Sequence, residues 1–237
     1  MTELAVNKKN SKKKLLDSKR KLIAKYDPKS PISEQYRTIR TNILFSNVDD
    51  EIRTLMITSS GPGEGKSTTA ANLAVVFAQQ GKSVLFVDAD LRKPTVHYTF
   101  NTMNTTGLTS ILTNQISLKE AVHANVENNL YILTSGPIPP NPSELLSSRS
   151  MQHFMEQARE EFDIILFDTP PVLAVTDAQI LASICQGSII VVSSGTTQKE
   201  SLLKTKELLS ASNGKIVGVV LNNKKSDKQE YYYYGTD

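Results

Sequence analysis

The feature that most constrains the fold of this chain is a glycine-rich octapeptide, Gly61-Pro62-Gly63-Glu64-Gly65-Lys66-Ser67-Thr68. The apolar residues 55–58 before it predict a strand, and residues 67–80 after it predict a helix that Gly81 closes. The glycines let the backbone curl with its N–H groups inward, where they and the helix N-terminus cradle phosphate oxygens. A strand, such a turn and a helix in this order predict a nucleotide-binding α/β domain.

The side chains of this loop predict ATP and Mg²⁺ as ligands, and all eight residues 61–68 are candidate cofactor-binding residues. Lys66 supplies a charge for the β- and γ-phosphates, and the Ser67 hydroxyl reaches the magnesium ion. The loop departs from the usual Walker A motif at its first position, which is Ser60 instead of glycine. The alternative is a glycine-rich turn without a ligand, which the Gly-Lys-Ser-Thr run between strand and helix disfavours.

Two acidic sites fit the same chemistry. Asp168 follows the apolar strand 164–167 and precedes Thr-Pro-Pro, which is the Walker B arrangement of a carboxylate that holds the magnesium shell. Asp88 and Asp90 follow the apolar strand 84–87. Carboxylates at the carboxyl edge of a parallel sheet face the ligand crevice. For Asp90 the alternative is a helix or turn cap.

Strands and helices alternate along the chain, and several strands are apolar on both faces. That pattern is typical of a sheet covered by helices on each side, so we predict a doubly wound, mostly parallel α/β fold of the P-loop NTPase type. Further strands are predicted at residues 130–133, 188–192 and 216–221, and further helices at 151–161, 176–185 and 199–210. An additional helix begins near Ser33, a candidate N-cap, and runs to residue 45.

The 237 residues, 39% of them hydrophobic, are enough for one sizeable domain, which we place at residues 29–222. Residues 1–28 form a basic arm, with nine lysines and arginines in its first 25 residues. A solvated, flexible arm is favoured over one attracted to an anionic membrane surface. Residues 223–237 are polar and form a flexible, tyrosine-rich tail.

Composition argues against several other classes. No apolar run reaches 18 residues, and the lysine-rich start lacks the apolar core of a secretory signal. Cys185 lies in an apolar stretch and is expected to be a small buried hydrophobe. The three histidines show no ligand spacing, so no zinc site is predicted, and no nucleic-acid partner is expected.

Four consecutive tyrosines, Tyr231, Tyr232, Tyr233 and Tyr234, make up half of the eight in the chain. They could be aromatic residues that dock to a partner, but beside a complete Mg-ATP site the better interpretation is a phosphorylation substrate. The eight residues 224–231 span at most roughly 26–29 Å, which is enough to reach a neighbouring subunit.

Together these motifs identify the chain as resembling the bacterial tyrosine kinases, the P-loop kinases of capsule and exopolysaccharide systems. The resemblance runs from about residue 33 onward. It rests on Walker A (60–68), the family's second aspartate motif (84–92), Walker B (164–171), the tyrosine cluster and the helix motif Glu34-x-x-Arg37-x-x-Arg40. No kinase signature with a catalytic His-Arg-Asp is present.

The resemblance implies a role for each matching residue. The candidate catalytic residues are Lys66, Asp88, Asp90 and Asp168, with Asp88 as general base for the tyrosine hydroxyl and the other two aspartates organising the metal. The candidate magnesium ligands are Ser67, Asp88 and Asp168. The helix motif Glu34-x-x-Arg37-x-x-Arg40 would join subunits. Its spacing alone favours a solvated, salt-bridged face, and the family resemblance reverses that preference.

The resemblance also implies partners and a location. Members of the two-chain type are cytoplasmic, autophosphorylate between the subunits of a ring, and are switched on at the inner face of the membrane by the cytoplasmic tail of a transmembrane modulator. Other protein tyrosine substrates, a cognate phosphatase and regulation of capsular or exopolysaccharide synthesis are expected as well.

Two alternatives remain at this stage. Partitioning and division-site ATPases share this P-loop branch, but their Walker A motif has an additional lysine near its start, where this chain has Gly61. A regulatory subunit modified by another kinase is the second alternative. Asn222, after the last predicted strand, is hypothesised to contact the nucleotide base.

Overall fold

The computed structural model describes residues 22–46 and 51–225. One sheet contains seven strands: β1 (Thr54–Ser59), β2 (Val84–Asp88), β3 (His123–Glu127), β4 (Leu130–Leu133), β5 (Ile164–Asp168), β6 (Gly187–Ser193) and β7 (Ile216–Asn222). The helices are α1 (Ile23–Tyr26), α2 (Pro31–Phe45), α3 (Lys66–Ala78), α4 (Val96–Phe100), α5 (Leu108–Leu112), α6 (Leu118–Ala121), α7 (Pro142–Leu146), α8 (Arg149–Glu161), α9 (Asp177–Ile184) and α10 (Lys199–Ala211). None of these helices is long and apolar enough to cross a membrane.

The strand order is β3-β4-β2-β5-β1-β6-β7, and every neighbouring pair is parallel except β3 with β4. The prediction of a doubly wound, mostly parallel α/β fold is therefore confirmed. The register pairs Asp88 with Asp168 and Ile57 with Asp168, so β2, β5 and β1 end side by side. This register brings the loops that follow the three central strands to one edge of the sheet.

Alternate residues of the central strands enter two separate cores, as the two-residue repeat of a strand requires. Met56, Leu85 and Phe167 pack on one face, beneath α8 and α9. Ile57, Phe86 and Leu166 pack on the other face, against α3 and the residues of α1 and α2. The central strands are fully buried, which explains why they are apolar on both faces.

The start of the domain differs from the prediction in two respects. Ser30, and not Ser33, is the N-cap of α2, because its Oγ accepts a hydrogen bond from the Ser33 N–H at 3.2 Å and a proline follows it. Residues 22–28 were assigned to the arm, but Leu22 and Ala24 are buried and the Ala24 N–H donates to Asn72 Oδ1 at 2.9 Å. The lysine run dominated the composition and concealed these apolar residues.

Several elements were not predicted, namely β3, α1 and the short helices α4 to α7. Each is four or five residues long, too short for a periodic pattern to form. The arm residues 1–21 and the tail residues 226–237, with all four clustered tyrosines, lie outside the described residues.

Candidate active site

The phosphate loop between β1 and α3 has the backbone that its glycines predicted. Gly63 and Gly65 have φ of 78° and 93°, in the left-handed region that favours glycine. A Cβ at Gly65 would lie 2.0 Å from Asn222 Nδ2. That amide donates to the Glu64 carbonyl at 3.0 Å, so the end of β7 contacts the phosphate loop directly. The hypothesised base contact of Asn222 stays a prediction.

Glu64 and Ser60 brace the loop from inside the protein. The Glu64 carboxylate is buried and accepts hydrogen bonds from the Ser60 N–H at 2.9 Å and the Thr197 hydroxyl at 2.7 Å. The Ser60 hydroxyl, at the position where the motif usually has glycine, shares a 2.9 Å hydrogen bond with Thr205 of α10. The Glu64 side chain therefore connects the loop to the segment after β6, while the backbone of residues 61–68 forms the cradle.

Lys66 lies between two of the predicted carboxylates. Its Nζ is 3.5 Å from Asp90 Oδ2, 3.5 Å from Asp168 Oδ1 and 3.2 Å from Ser67 Oγ. Burial lowers the pKa of Lys66, but the charges of Asp168, Asp90 and Asp88 oppose it and leave the pKa raised. Lys66 is therefore a fixed positive charge at the mouth of the loop, where it can also bind phosphate oxygens.

Asp88 is buried at the end of β2. Its Oδ2 accepts hydrogen bonds from the Thr95 and Val96 N–H groups at 3.0 and 2.9 Å, which fixes the start of α4. Its Oδ1 is buried and has no hydrogen-bond partner among the described residues. Burial, followed by the nearby Asp168 charge, raises the pKa of Asp88 to about 8. A carboxyl group with such a pKa can bind and release a proton near neutral pH.

Asp90 and Asp168 complete the carboxylate cluster. The Asp90 Oδ1 accepts a hydrogen bond from the Lys93 N–H at 3.0 Å, so the turn cap proposed as an alternative and a contact to Lys66 occur together. Asp168 is fully buried, and its Oδ2 has no hydrogen-bond partner in the described part of the chain. Burial raises the pKa of Asp168, although Lys66 and the Ser67 hydroxyl act to lower it.

The residues present fit a magnesium nucleotide. Asp88 and Asp168 are paired across β2 and β5, and their buried oxygens Asp88 Oδ1 and Asp168 Oδ2 have no hydrogen-bond donor among the residues that the structure describes. Within residues 22–46 and 51–225, no three His, Cys, Asp or Glu side chains form a complete metal cluster. Magnesium suits such a partial site, because it is commonly bound by one or two carboxylates together with phosphates and water.

A second charged cluster lies beside this site and was not predicted. Arg92 donates two hydrogen bonds to Asp177, from Nε to Oδ2 at 2.8 Å and from Nη2 to Oδ1 at 3.0 Å. Ser143 shares hydrogen bonds with both residues, at 2.6 Å to Asp177 and 3.0 Å to Arg92. Asp177 lies at a predicted helix start, where acidic residues are common because they interact favourably with the helix dipole. The sequence therefore contained no indication that Asp177 pairs with Arg92.

The three motif residues of α2 have different surroundings. Glu34 and Arg37 form an exposed ion pair on the helix. The Arg40 Nη1 donates to the Val76 carbonyl of α3 at 2.6 Å, and burial lowers the pKa of Arg40. Arg40 therefore also joins two helices within the chain. The predicted oligomer interface stays a prediction.

A groove of about 730 Å³ lies between α2 and β7. Its lining includes Ile32, Tyr36 and Ile39 on the helix and Val219 and Leu221 on the strand. The two strand residues are 52% and 55% exposed, and β7 is an edge strand of the sheet. Elsewhere, Cys185 is buried as expected, and burial raises its pKa to about 12.

Known proteins with similar sequences indicate one family. The family model described as "AAA domain" matches residues 52–213. The chain is 58% identical over 201 residues to Tyrosine-protein kinase YwqD of Bacillus subtilis, covering 85% of each protein. It is 43% identical to the Putative tyrosine-protein kinase CapB of Staphylococcus aureus, covering 81% of this chain and 85% of that protein.

Solved structures agree with these relatives. The chimerical protein CapA2B2 superposes with a TM-score of 0.85 at 45% identity, covering 87% of this chain and 91% of that one. The kinase domain of the Escherichia coli tyrosine kinase ETK gives a TM-score of 0.83 at 32% identity, covering 91% and 84%. A plasmid partition protein from Borrelia burgdorferi, at 20% identity with 76% and 84% coverage and a TM-score of 0.61, shares the fold alone. The sequence identities, the matching folds and the ordered Walker motifs together show that this chain belongs to the bacterial tyrosine-protein kinase family.

Proposed function

We propose that this protein transfers the γ-phosphoryl group of ATP to tyrosine hydroxyls, first to those of residues 231–234 in a neighbouring copy. The observation that carries the proposal is the buried Oδ1 of Asp88, which has no hydrogen-bond partner within residues 22–46 and 51–225 and lies at the same sheet edge as Lys66 and Asp168. An oxygen left without a donor in a buried site costs free energy, so it indicates a ligand or a proton to be bound.

Each residue then has a defined part in the transfer. The backbone of residues 61–68 and Lys66 bind the phosphates and neutralise the charge that develops on them. Ser67, Asp168 and Asp88 would hold Mg²⁺, which supplies charge stabilisation at the β- and γ-phosphates when bound. Asp88 accepts the proton of the tyrosine hydroxyl, and Asp90 keeps Lys66 in place. The hydroxyl oxygen then forms the new bond to phosphorus as ADP leaves.

The tail follows a well-anchored strand end. The Asn222 carbonyl accepts a hydrogen bond from the Ser194 N–H at 2.8 Å, and the Asn223 amide donates to the Ser193 hydroxyl at 3.0 Å. From this anchor residues 224–231 can extend roughly 26–29 Å. A tail of that length supports phosphoryl transfer to the tail of a neighbouring subunit. The ring of subunits would be held together by the helix motif on α2.

The proposed partners follow from the family. They are other copies of this chain, the cytoplasmic tail of a transmembrane modulator that recruits this chain from the cytoplasm to the inner face of the membrane, further protein tyrosine substrates and a cognate phosphatase. The pathway regulated is the synthesis of a capsular or exopolysaccharide.

One experiment tests the kinase activity against both alternatives. Purified protein is incubated with Mg-ATP, with and without the modulator tail, and its intact mass is measured. We expect mass increases of one or more phosphates within the peptide that contains residues 231–234. ATP hydrolysis without phosphotyrosine would instead support an ATPase switch, and labelling only after another kinase is added would support a regulatory subunit.

The tail should also regulate assembly. Four phosphotyrosines would add roughly −6 to −8 charges to one tail, so phosphorylated tails should repel each other and the ring should loosen. We expect the fully phosphorylated protein to have a lower native mass than a variant with Tyr231–Tyr234 changed to Phe. The difference should shrink in high salt, because the Debye length is ~10 Å at 0.1 M. Equal native masses at low salt would contradict this mechanism.

A further inference from the structure

Asp177, at the first position of α9, is a buried carboxylate whose two oxygens are both engaged. Its side chain is completely shielded from solvent, whereas that of Arg92 is 38% exposed. The two Arg92 hydrogen bonds, at 2.8 and 3.0 Å, form a bidentate pair, and the Ser143 hydroxyl adds a contact at 2.6 Å. A bidentate pair sets the orientation of the guanidinium plane as well as its position.

The three residues join three segments at the carboxyl edge of the sheet. Arg92 belongs to the loop that contains Asp90, only four residues beyond Asp88. Asp177 is the first residue of α9 and directly follows the loop that begins after Asp168. Ser143 is the second residue of α7. The Arg92–Asp177 pair is therefore a direct side-chain connection between the loops that follow β2 and β5.

These loops are attached to two buried carboxylates. Asp88 and Asp168 are paired across the neighbouring strands β2 and β5, and both side chains are fully buried. Lys93 directly follows Arg92 in the chain, and its N–H donates a hydrogen bond to Asp90 Oδ1 at 3.0 Å. A shift of Arg92 would therefore displace the backbone that orients Asp90, and through Asp90 the Lys66 amine.

We propose that Asp177 is a positioning residue for phosphoryl transfer, which acts through Arg92 to keep the loops of Asp88, Asp90 and Asp168 in their reactive arrangement. The inference rests on the proposed kinase function. Asp177 touches no nucleotide or acceptor atom in this scheme. Its removal should therefore reduce the rate of transfer far more than the binding of Mg-ATP, because small displacements of reacting groups cost rate steeply.

The test is a double-mutant cycle of Asp177→Asn, Arg92→Gln and the double variant. Each single variant should lower kcat on the order of 10- to 100-fold, with KM for ATP changed by less than about threefold. The kcat of the double variant should lie within about twofold of the kcat of the slower single variant, since the two residues act as one unit. Arg92→Lys should not restore the rate, because an ammonium cannot form the bidentate pair.

Glu51→Gln is the matched control, because Glu51 forms an exposed 2.7 Å ion pair with Lys82 at the opposite edge of the sheet. It should leave kcat unchanged. Additive losses in the cycle, wild-type kcat in Asp177→Asn, full activity in Arg92→Lys, or an equal loss of Mg-ATP binding would each overturn the inference.

Two outcomes need a second measurement. If Asp177→Asn does not fold, Arg92→Gln decides, because the Arg92 side chain is 38% exposed whereas that of Asp177 is fully buried. If the wild-type protein phosphorylates no tyrosine, the kinase proposal fails. The rate of ATP hydrolysis is then measured for the same three variants. A tenfold loss with unchanged KM supports the inference in either case, and hydrolysis or transfer within twofold of wild type overturns it.

Discussion

The carboxyl edge of β1, β2 and β5 and the outer edge formed by β7 and α2 are built on different principles. At the first edge, the strands are fully buried and the charges lie within contact of one another. At the second edge, the strand is half-exposed and the apolar residues Val219 and Leu221 line an open groove. At the central site, the charged groups contact one another within a single chain. At the outer edge, apolar side chains of β7 remain exposed.

The contrast separates the properties of the single chain from those of an assembly. Nucleotide chemistry needs only the residues that the central strands bring together. Assembly needs a second molecule, and a half-exposed apolar groove beside charged helix residues is typical of a binding surface. In the unphosphorylated protein, changes at the centre should therefore alter the rate of transfer and not the native mass, and changes at the outer edge should alter the native mass and not the chemistry.

Lys66→Met should have the largest effect. Loss of the fixed charge at the phosphates should reduce phosphotyrosine formation by at least ~10²–10³-fold, because charge neutralisation is a main source of phosphoryl-transfer catalysis. Intact mass after incubation with Mg-ATP measures the effect. Before ATP is added, thermal unfolding and native mass should match those of the unphosphorylated wild type. Tail labelling at near wild-type rate would show that the active site is assigned incorrectly.

Asp88→Asn should reduce the rate by ~10²–10⁴-fold, which is the usual contribution of a positioned base. Mg-ATP affinity should fall much less, because Lys66 and the loop backbone remain. Titration with a fluorescent nucleotide, alongside single-turnover labelling, separates the two quantities. Equal losses of affinity and rate would assign Asp88 to the metal instead of the proton.

Arg37→Ala tests the outer edge. Arg37 forms an exposed pair with Glu34 on α2, so its loss should leave the fold intact while lowering the native mass toward the monomer. Labelling between copies should fall with it, whereas phosphorylation of an added tyrosine peptide should persist. Sedimentation showing the wild-type oligomer would exclude Arg37 from the interface.

Arg40→Ala is the comparison for that variant. It also removes the 2.6 Å hydrogen bond to the Val76 carbonyl, so it should lower the free energy of unfolding by about 1 kcal/mol, which Arg37→Ala should not. Denaturant unfolding of both variants measures this difference.

The smallest effect concerns pH and the metal-free protein. Because the pKa of Asp88 is raised from 3.8 to about 8, the folded state retains a proton that the unfolded state releases between these values. Stability should therefore fall as pH rises from about 4 to 8, and level off above. Asp88→Asn should reduce this slope and melt a few degrees above wild type at pH 8, given ~2–4 °C per kcal/mol. Parallel melting curves from pH 5 to 8 would contradict the raised pKa.

Local pattern was enough to predict the centre of the molecule. Apolar strands, the glycine turn and the acids after strands are each encoded within about ten residues, and the parallel fold places all strand ends on one edge. The same reasoning located Lys66, Asp88, Asp90 and Asp168 before their contacts were known. It failed for the N-cap of α2 and for residues 22–28, where a charged run concealed a buried start.

The kind of site and the order of the elements follow from the sequence, since strand period, turn and helix start are local properties. Which atoms are paired depends on the tertiary structure. Within the described residues, Asp88 Oδ1 has no donor, Glu64 is joined to Thr197 across 133 residues, and Arg92 is joined to Asp177 across 85. The physical reason is that such contacts depend on where distant segments meet after the sheet has formed, and no local pattern specifies that meeting.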